Sequence, residues 1–403
     1  MKTEKGFNKW LVILALCSVA LASNANSVNN PCLPQIYASF PEASDFLKNY
    51  IVNGQMIVAL PFILLVGRIA DKVNKKLIIL VGTALYLLGG VGGAFATSMG
   101  MYALCRSLVG IGMGIETSVV FGILFSCFTD SDEAAQVMGY YQGFSRLVGT
   151  IFPLIAGIVC AAVSWRSAAW LNAIAVVTFL CILFFLPSSV VEPRKKEAVA
   201  EAASAADDKK LDLGRIIFTL VETILFITFG WIFFYFNSLY IAERELGNSV
   251  LAGGLGSIFT IGGVLINLVL KPVHKKFGRY CGALSALGLS IVFMILSLDI
   301  PAWVVLPLAT LNGIFCGVIS SFYGMAVNSY VPSTQTSFFQ GVYSCCTFFA
   351  FTIVSYVPST LMGIFGGGYQ QVMLYGGIIM LVISIAVLTL LKTVIVKKPA
   401  AVK

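Results

Sequence analysis

The sequence predicts an all-α membrane protein, with twelve transmembrane helices grouped as six and six. Three observations carry that expectation. Of 403 residues, 58% are hydrophobic and only 11% charged, a balance that cannot clothe a soluble domain of this length in polar groups. The apolar residues fall into runs long enough to cross a bilayer, which takes about 20 residues of helix. Lysine and arginine gather between alternate runs, which orients such a bundle.

The first run begins MKTEKGFNKWLVILALCSVALAS, with the basic start, apolar stretch and small residues of a cleavable signal. Its helical pattern runs on through NANSVNNPCLP toward Ile36, so an uncleaved first span over 9–36 is expected. Five more spans are expected at 47–68, 77–97, 99–126, 134–162 and 166–186. The stretch SSVVEPRKKEAVAEAASAADDKKLDLG is rich in alanine and charge without a sustained apolar run, and reads as a solvated linker. A second set of spans is expected at 215–240, 248–271, 279–298, 302–328, 336–361 and 369–392. The expected domains are a first bundle over 1–186, a cytoplasmic linker over 187–214 and a second bundle over 215–403.

With the N-terminus in the cytoplasm, the inner segments hold 21 lysines and arginines, whereas the outer loops hold only Lys48, Arg166 and Arg244. Both termini and the linker are therefore expected inside, in a cell membrane. The net charge of +8 is a topology signal by this reading, and no nucleic-acid partner is expected. Ten cysteines lie mostly within apolar runs, none forms C-x-x-C, and His274 is the one histidine. Neither a metal site, a cofactor nor a disulfide framework is indicated.

The loop GRIADKVNKKLII between spans two and three turns sharply, with Asp71 beside Lys72, Lys75 and Lys76. It resembles the signature of the major facilitator superfamily, G-x-x-x-D-[RK]-x-G-x-[RK]-[RK], through Gly67, Asp71, Lys72, Lys75 and Lys76. Asn74 stands where the family has glycine, and asparagine tolerates a left-handed turn better than most residues. The second-half loop KPVHKKFGRYCG keeps Phe277-Gly278-Arg279 but has Lys271 and Lys275 at the Gly and Asp positions. Such a decayed copy is what an ancient duplication leaves. In span four, CRSLVGIGMG resembles the family's R-x-x-x-G-x-G through Arg106, Gly110 and Gly112; SWRSAAWLNA resembles its W-R element through Trp165 and Arg166. The exporter element of span five keeps Gly139, Pro153 and Gly157 but has Val148, Phe152 and Ala156 at other glycine positions, so export is only weakly supported. The resemblance implies two pseudo-symmetric six-helix bundles, a monomer working by alternating access, and a gating role for the Asp71 loop.

Arg106, Glu116, Arg146 and Glu222 are the ionisable residues well inside the expected spans. Each costs roughly 2.5–3.5 kcal/mol at a bilayer centre on insertion scales. Glu116 and Arg146 lie at similar depth on sequential antiparallel helices, so an ion pair between them is expected. The resemblance puts Arg106 on a central cavity, where it would favour an anionic solute. Glu222 lies one to two turns into span seven, and burial of a carboxyl that can take up a proton is the profile of a proton carrier. Asn24 and Asn26 of span one, with Asn237, Asn312 and Tyr323 in the second half, are candidate substrate contacts.

The expected function is a secondary active transporter moving a small organic solute, with an anionic group suiting Arg106, coupled to protons through Glu116, Arg146 and Glu222. The alternative is a proton-driven multidrug efflux antiporter, for which the aromatic stretches FGWIFFYF and CCTFFAFTIVSY are suited. A non-transporting sensor or membrane enzyme is the reading of another class. It is not expected, because one loop histidine supplies no nucleophile–base set.

Overall fold

A computed structural model of the chain describes residues 8–69, 73–128, 131–187, 211–331 and 336–396. Among the described residues every regular element is helical. Among those residues ten helices are long and apolar enough to cross a membrane, and two further helix pairs qualify when each bent pair is taken as one span, giving twelve.

The bends lie where no run of hydropathy marks them. Span two is Asp45–Asn53 followed by Gln55–Val66 at 48°, and span eleven is Gly341–Val354 followed by Val357–Phe365 at 42°. Span one is α-helical over Lys9–Ala25, tightens to a 3-10 helix over Asn26–Cys32, and resumes over Leu33–Ser39. Pro31 lies inside the tightened stretch, where it removes one backbone donor and hinders the preceding turn. Span seven breaks at Trp231, between Leu213–Gly230 and Ile232–Glu243.

Two expected turns differ. Asn74 has φ −59° and ψ 115°, and its side chain accepts from the Lys76 amide. It is an N-cap for span three rather than a left-handed turn residue. The expected loop at 271–279 is mostly helix, since Ser249–Phe277 is continuous; Gly278, at φ +53°, makes the turn instead.

The described chain forms two compact units. The first comprises residues up to 207 with 237–242 and 247–257, and the second comprises 208–236, 243–246 and 258 onward. In the first unit, Leu16 and Val19 of span one, Ile79 of span three, Ile115 and Ile123 of span four and Ile182 of span six share one core. Lipid is as apolar as leucine, so close backbone approach at small residues drives such packing. A Cβ on Gly112 would stand 2.6 Å from the Gly82 carbonyl oxygen, which sets how closely spans three and four meet. In the second unit, Phe226, Leu289, Ile319, Ala350 and Met380 form the core.

Polar staples fix the ends. The Trp165 amide donates to Gln35 Oε1 at 3.1 Å and its indole to Ser39 Oγ at 2.8 Å, joining span six to span one. Arg166 lies 4.3 Å over the Trp165 ring and donates to the Ala96 carbonyl at 3.0 Å. In the second unit, Arg244 pairs with Asp299 and donates to the Leu298 carbonyl.

Candidate functional site

Arg106 is buried in the first unit. The break in span two explains its partners. At that break the carbonyls of Ile51 and Val52 lose the donors a continuous helix would supply, and lipid offers none. Arg106 donates to the Ile51 carbonyl through Nε at 3.2 Å and to the Val52 carbonyl through Nη2 at 3.3 Å. Its Nη1 donates to Asn26 Oδ1 at 2.5 Å. Hydrogen-bond satisfaction assigns the Asn29 amide with its oxygen toward the guanidinium, 2.6 Å from Nη1, and its nitrogen toward the Tyr102 hydroxyl at 2.9 Å. The planar fork of arginine suits four such acceptors.

Gly110 lies one turn further along the same face. A Cβ there would stand 2.2 Å from the Gln55 carbonyl oxygen. The R-x-x-x-G spacing therefore fits span four to a bent span two: the arginine satisfies freed carbonyls and the glycine admits the displaced backbone. Gly110→Val is expected to abolish the folded state, measured as loss of the monodisperse peak in size-exclusion chromatography of solubilised protein; a normal peak would contradict this fit. Asn26, expected to touch substrate, is engaged by Arg106. The reading of Arg106 as a cavity cation awaiting an anion is thereby corrected, since backbone and amide oxygens already occupy its donors.

Glu116 is buried among hydroxyls. Its Oε1 is 2.9 Å from Thr83 Oγ1 of span three, and its Oε2 is 3.3 Å from Ser23 Oγ of span one. Thr83 Oγ1 is also 2.9 Å from the Ile79 carbonyl. A hydroxyl carries one proton, so Thr83 makes both bonds together only when the carboxyl itself brings one. The expected Glu116–Arg146 ion pair is absent among the described residues. Arg146 is exposed on the first unit, and its neighbour Ser145 accepts from Asn24 Nδ2 at 2.9 Å. The two charges share a depth but not a direction, because the Gly112–Glu116 face of span four is turned to span three.

Glu222 is buried in the second unit, beside the hydroxyl of Tyr323, and its Oε1 has no hydrogen-bond partner among the described residues. Gly282 makes room for that tyrosine, since a Cβ there would stand 2.5 Å from its hydroxyl. The structure thus brings together Glu222 and Tyr323, which the sequence had assigned to different tasks.

At the Trp231 break, Asn312 Nδ2 and Cys316 Sγ reach the freed Gly230 carbonyl at 3.4 and 3.3 Å. The Trp231 ring packs edge-on against Phe234, Phe259 and Phe351, with centroids 5.4, 5.0 and 5.1 Å away. Trp231 Nε1, Thr228 Oγ1 and Asn312 Oδ1 are buried without hydrogen-bond partners among the described residues. This half-buried aromatic cluster with polar groups at one end suits a ligand that is flat, apolar and sparsely polar. Of its members, sequence reasoning had named Asn312 as a candidate contact and had marked Trp231, Phe234 and Phe351 within two aromatic stretches. Asn237 is buried in the 237–242 stretch of the first unit.

Of the gating loop, Asp71 and Lys72 lie outside the described residues, as does 188–210 of the linker. Gly67 closes span two in helical conformation, and Lys75 is buried at the start of span three. Lys76 Nζ donates to the Leu183 carbonyl at 2.8 Å, placing a cation on the C-terminal end of span six.

A family model described as Major Facilitator Superfamily matches residues 15–310. Among curated relatives, the multidrug transporter AQR1 of Candida glabrata is 28% identical over 184 residues, 44% of this chain and 30% of that protein. The multidrug resistance protein MdtL of Escherichia coli O81 is 26% identical over 176 residues, 41% of this chain and 42% of that protein. The riboflavin transporter RibZ of Clostridioides difficile is 23% identical over 192 residues, 47% of this chain and 41% of that protein. The chain thus matches less than half the length of each. Among solved structures, a bacterial homologue of the human lysosomal transporter Spinster has a TM-score of 0.75 at 14% identity, over 96% of this chain and 98% of that one. A D-xylose–proton symporter has a TM-score of 0.69 at 14% identity, over 93% and 96%.

Proposed function

The chain belongs to the major facilitator superfamily, and from that premise we propose that it is a proton-driven exporter of lipophilic solutes bearing an aromatic or similarly flat apolar group. The observation that carries the coupling is a pair of buried carboxyls, Glu116 and Glu222, whose described neighbours are hydroxyls and not cations. Depth supports it as well: Glu116 lies roughly 16 Å along its helix from Cys127, and Glu222 roughly 14 Å from Leu213. Both lie inside their spans, where a bare carboxylate is expensive and a neutral one is not. Glu222 with Tyr323 is the principal proton site, and Glu116 with Ser23 and Thr83 the second.

The Trp231 cluster supports the solute class. Engagement of Arg106 by carbonyl and amide oxygens weighs against an anionic solute. The names of the relatives AQR1 and MdtL, both multidrug transporters, agree with an apolar, aromatic-tolerant cargo, and RibZ's riboflavin is itself a flat ring system. The distribution of lysine and arginine supports an orientation with both termini in the cytoplasm, and the 187–214 segment as a cytoplasmic linker between the 1–186 and 215–403 bundles.

The probe is tetraphenylphosphonium, a lipophilic aromatic cation, and the assay is accumulation in proteoliposomes made acid inside. Wild-type protein is expected to concentrate the probe as protons leave. Trp231→Ala is expected to weaken probe binding about thirtyfold, the effect of losing an aromatic anchor worth about 2 kcal/mol, with the protein still folded. Unchanged affinity in Trp231→Ala would remove this cluster from the solute site.

A further inference from the structure

We propose that Cys32 and Cys160 form a disulfide that staples the outer ends of spans one and five. Sequence spacing offered no sign of it, because the two residues are far apart and neither lies in a C-x-x-C. The fold brings them together. Cys32 closes the 3-10 stretch of span one and Cys160 lies in the last turn of span five. Those two elements pack against each other within the first unit. Their register is fixed by Gln35, one turn beyond Cys32, whose Nε2 donates to the carbonyl of Cys160 itself at 3.0 Å. The same Gln35 side chain accepts from the Trp165 amide, so the three chain segments are pinned together around the sulfurs. Both thiols are buried, and the two side chains adjoin.

The remaining polar contact of Cys32 is donation from Sγ to the Val28 carbonyl at 3.4 Å, a weak bond that thiol oxidation would forgo at little loss. No group of three metal-ligating side chains occurs among the described residues, so a multidentate metal site is not the reason for the pair. Span one runs outward from Lys9 and span five outward from Ser131 in the proposed orientation. Both cysteines then face the oxidising side of the membrane, where such bonds form and persist.

The oxidant is a disulfide of the thiol-oxidase class resident in that compartment. One cysteine thiolate attacks the oxidant's disulfide, giving a mixed disulfide and releasing one oxidant thiol. The second cysteine thiolate attacks the mixed disulfide, forms the Sγ–Sγ bond and releases the second thiol. Two electrons and two protons pass from the protein to the oxidant. Closure occurs as the two ends meet during folding, before burial removes the thiols from reach.

The test is a count of free thiols. Protein purified from bacterial inner membranes without reductant is denatured and labelled with a maleimide mass tag. Wild type is expected to label at two fewer than its ten cysteines, and at all ten after reduction. Cys32→Ser and Cys160→Ser are each expected to label, unreduced, at every cysteine that remains, because each frees the other partner. Full labelling of unreduced wild type would overturn the proposal. So would two unlabelled cysteines persisting in both serine variants, which would place the disulfide elsewhere.

Discussion

Arg106→Ala is expected to fail as a folded protein before it fails as a transporter. The substitution strips donors from the carbonyls of Ile51 and Val52 and from the amides of Asn26 and Asn29. Each buried acceptor left without a partner costs about 1–3 kcal/mol, and lipid cannot replace the lost bond. A total loss of about 3 kcal/mol or more is the expected direction and scale, enough to exhaust a large share of a typical net stability. Arg106→Lys recovers little, since an ammonium on a flexible stem cannot meet carbonyls and amides spread around a planar fork. The measurement is thermal unfolding of purified protein by intrinsic fluorescence. If Arg106 instead waited in a cavity for an anion, Arg106→Ala would melt at the wild-type temperature and lose only transport.

The second large effect falls on Glu222. For a one-to-one exchange of proton for tetraphenylphosphonium, each unit of pH difference supports about a tenfold concentration ratio, because tenfold corresponds to about 1.4 kcal/mol. Glu222→Gln keeps the size and the contact with Tyr323 but cannot release a proton. Accumulation is expected to fall well below tenfold per pH unit, to what Glu116 alone still couples, while exchange of labelled for unlabelled probe continues. Probe still accumulating about tenfold per pH unit in that variant would remove Glu222 from the coupling.

The twelve spans were legible because a bilayer imposes a length and an apolar content that any run either meets or does not. Breaks within spans were less so. Gly54, Trp231 and the Ser355–Tyr356 step interrupt helices without interrupting hydropathy, since the segments on both sides stay apolar. Arg106 was visible as an oddity in span four, but its task depended on the bend in span two, which no pattern announced. Glu116 and Arg146 were matched by depth alone. Rise along the axis fixes depth, whereas pairing also needs the two side chains to share a direction, and Glu116 turns instead to Thr83. Glu222 and Tyr323 are distant in sequence and meet only through the packing of spans seven and ten. A Gly-x-x-x-Glu spacing from Gly112 to Glu116 could have signalled the true neighbour, because a residue one turn from a close helix contact faces the same partner.

The central claim is that solute and proton compete through buried carboxyls. Its most direct measurement is proton release when tetraphenylphosphonium is added to weakly buffered, detergent-solubilised protein containing a pH-sensitive dye. The wild type should release protons in proportion to bound probe. Glu222→Gln should release markedly fewer, and Glu116→Gln/Glu222→Gln none, while both variants still bind the probe. Equal release from the wild type and the double variant would contradict the account.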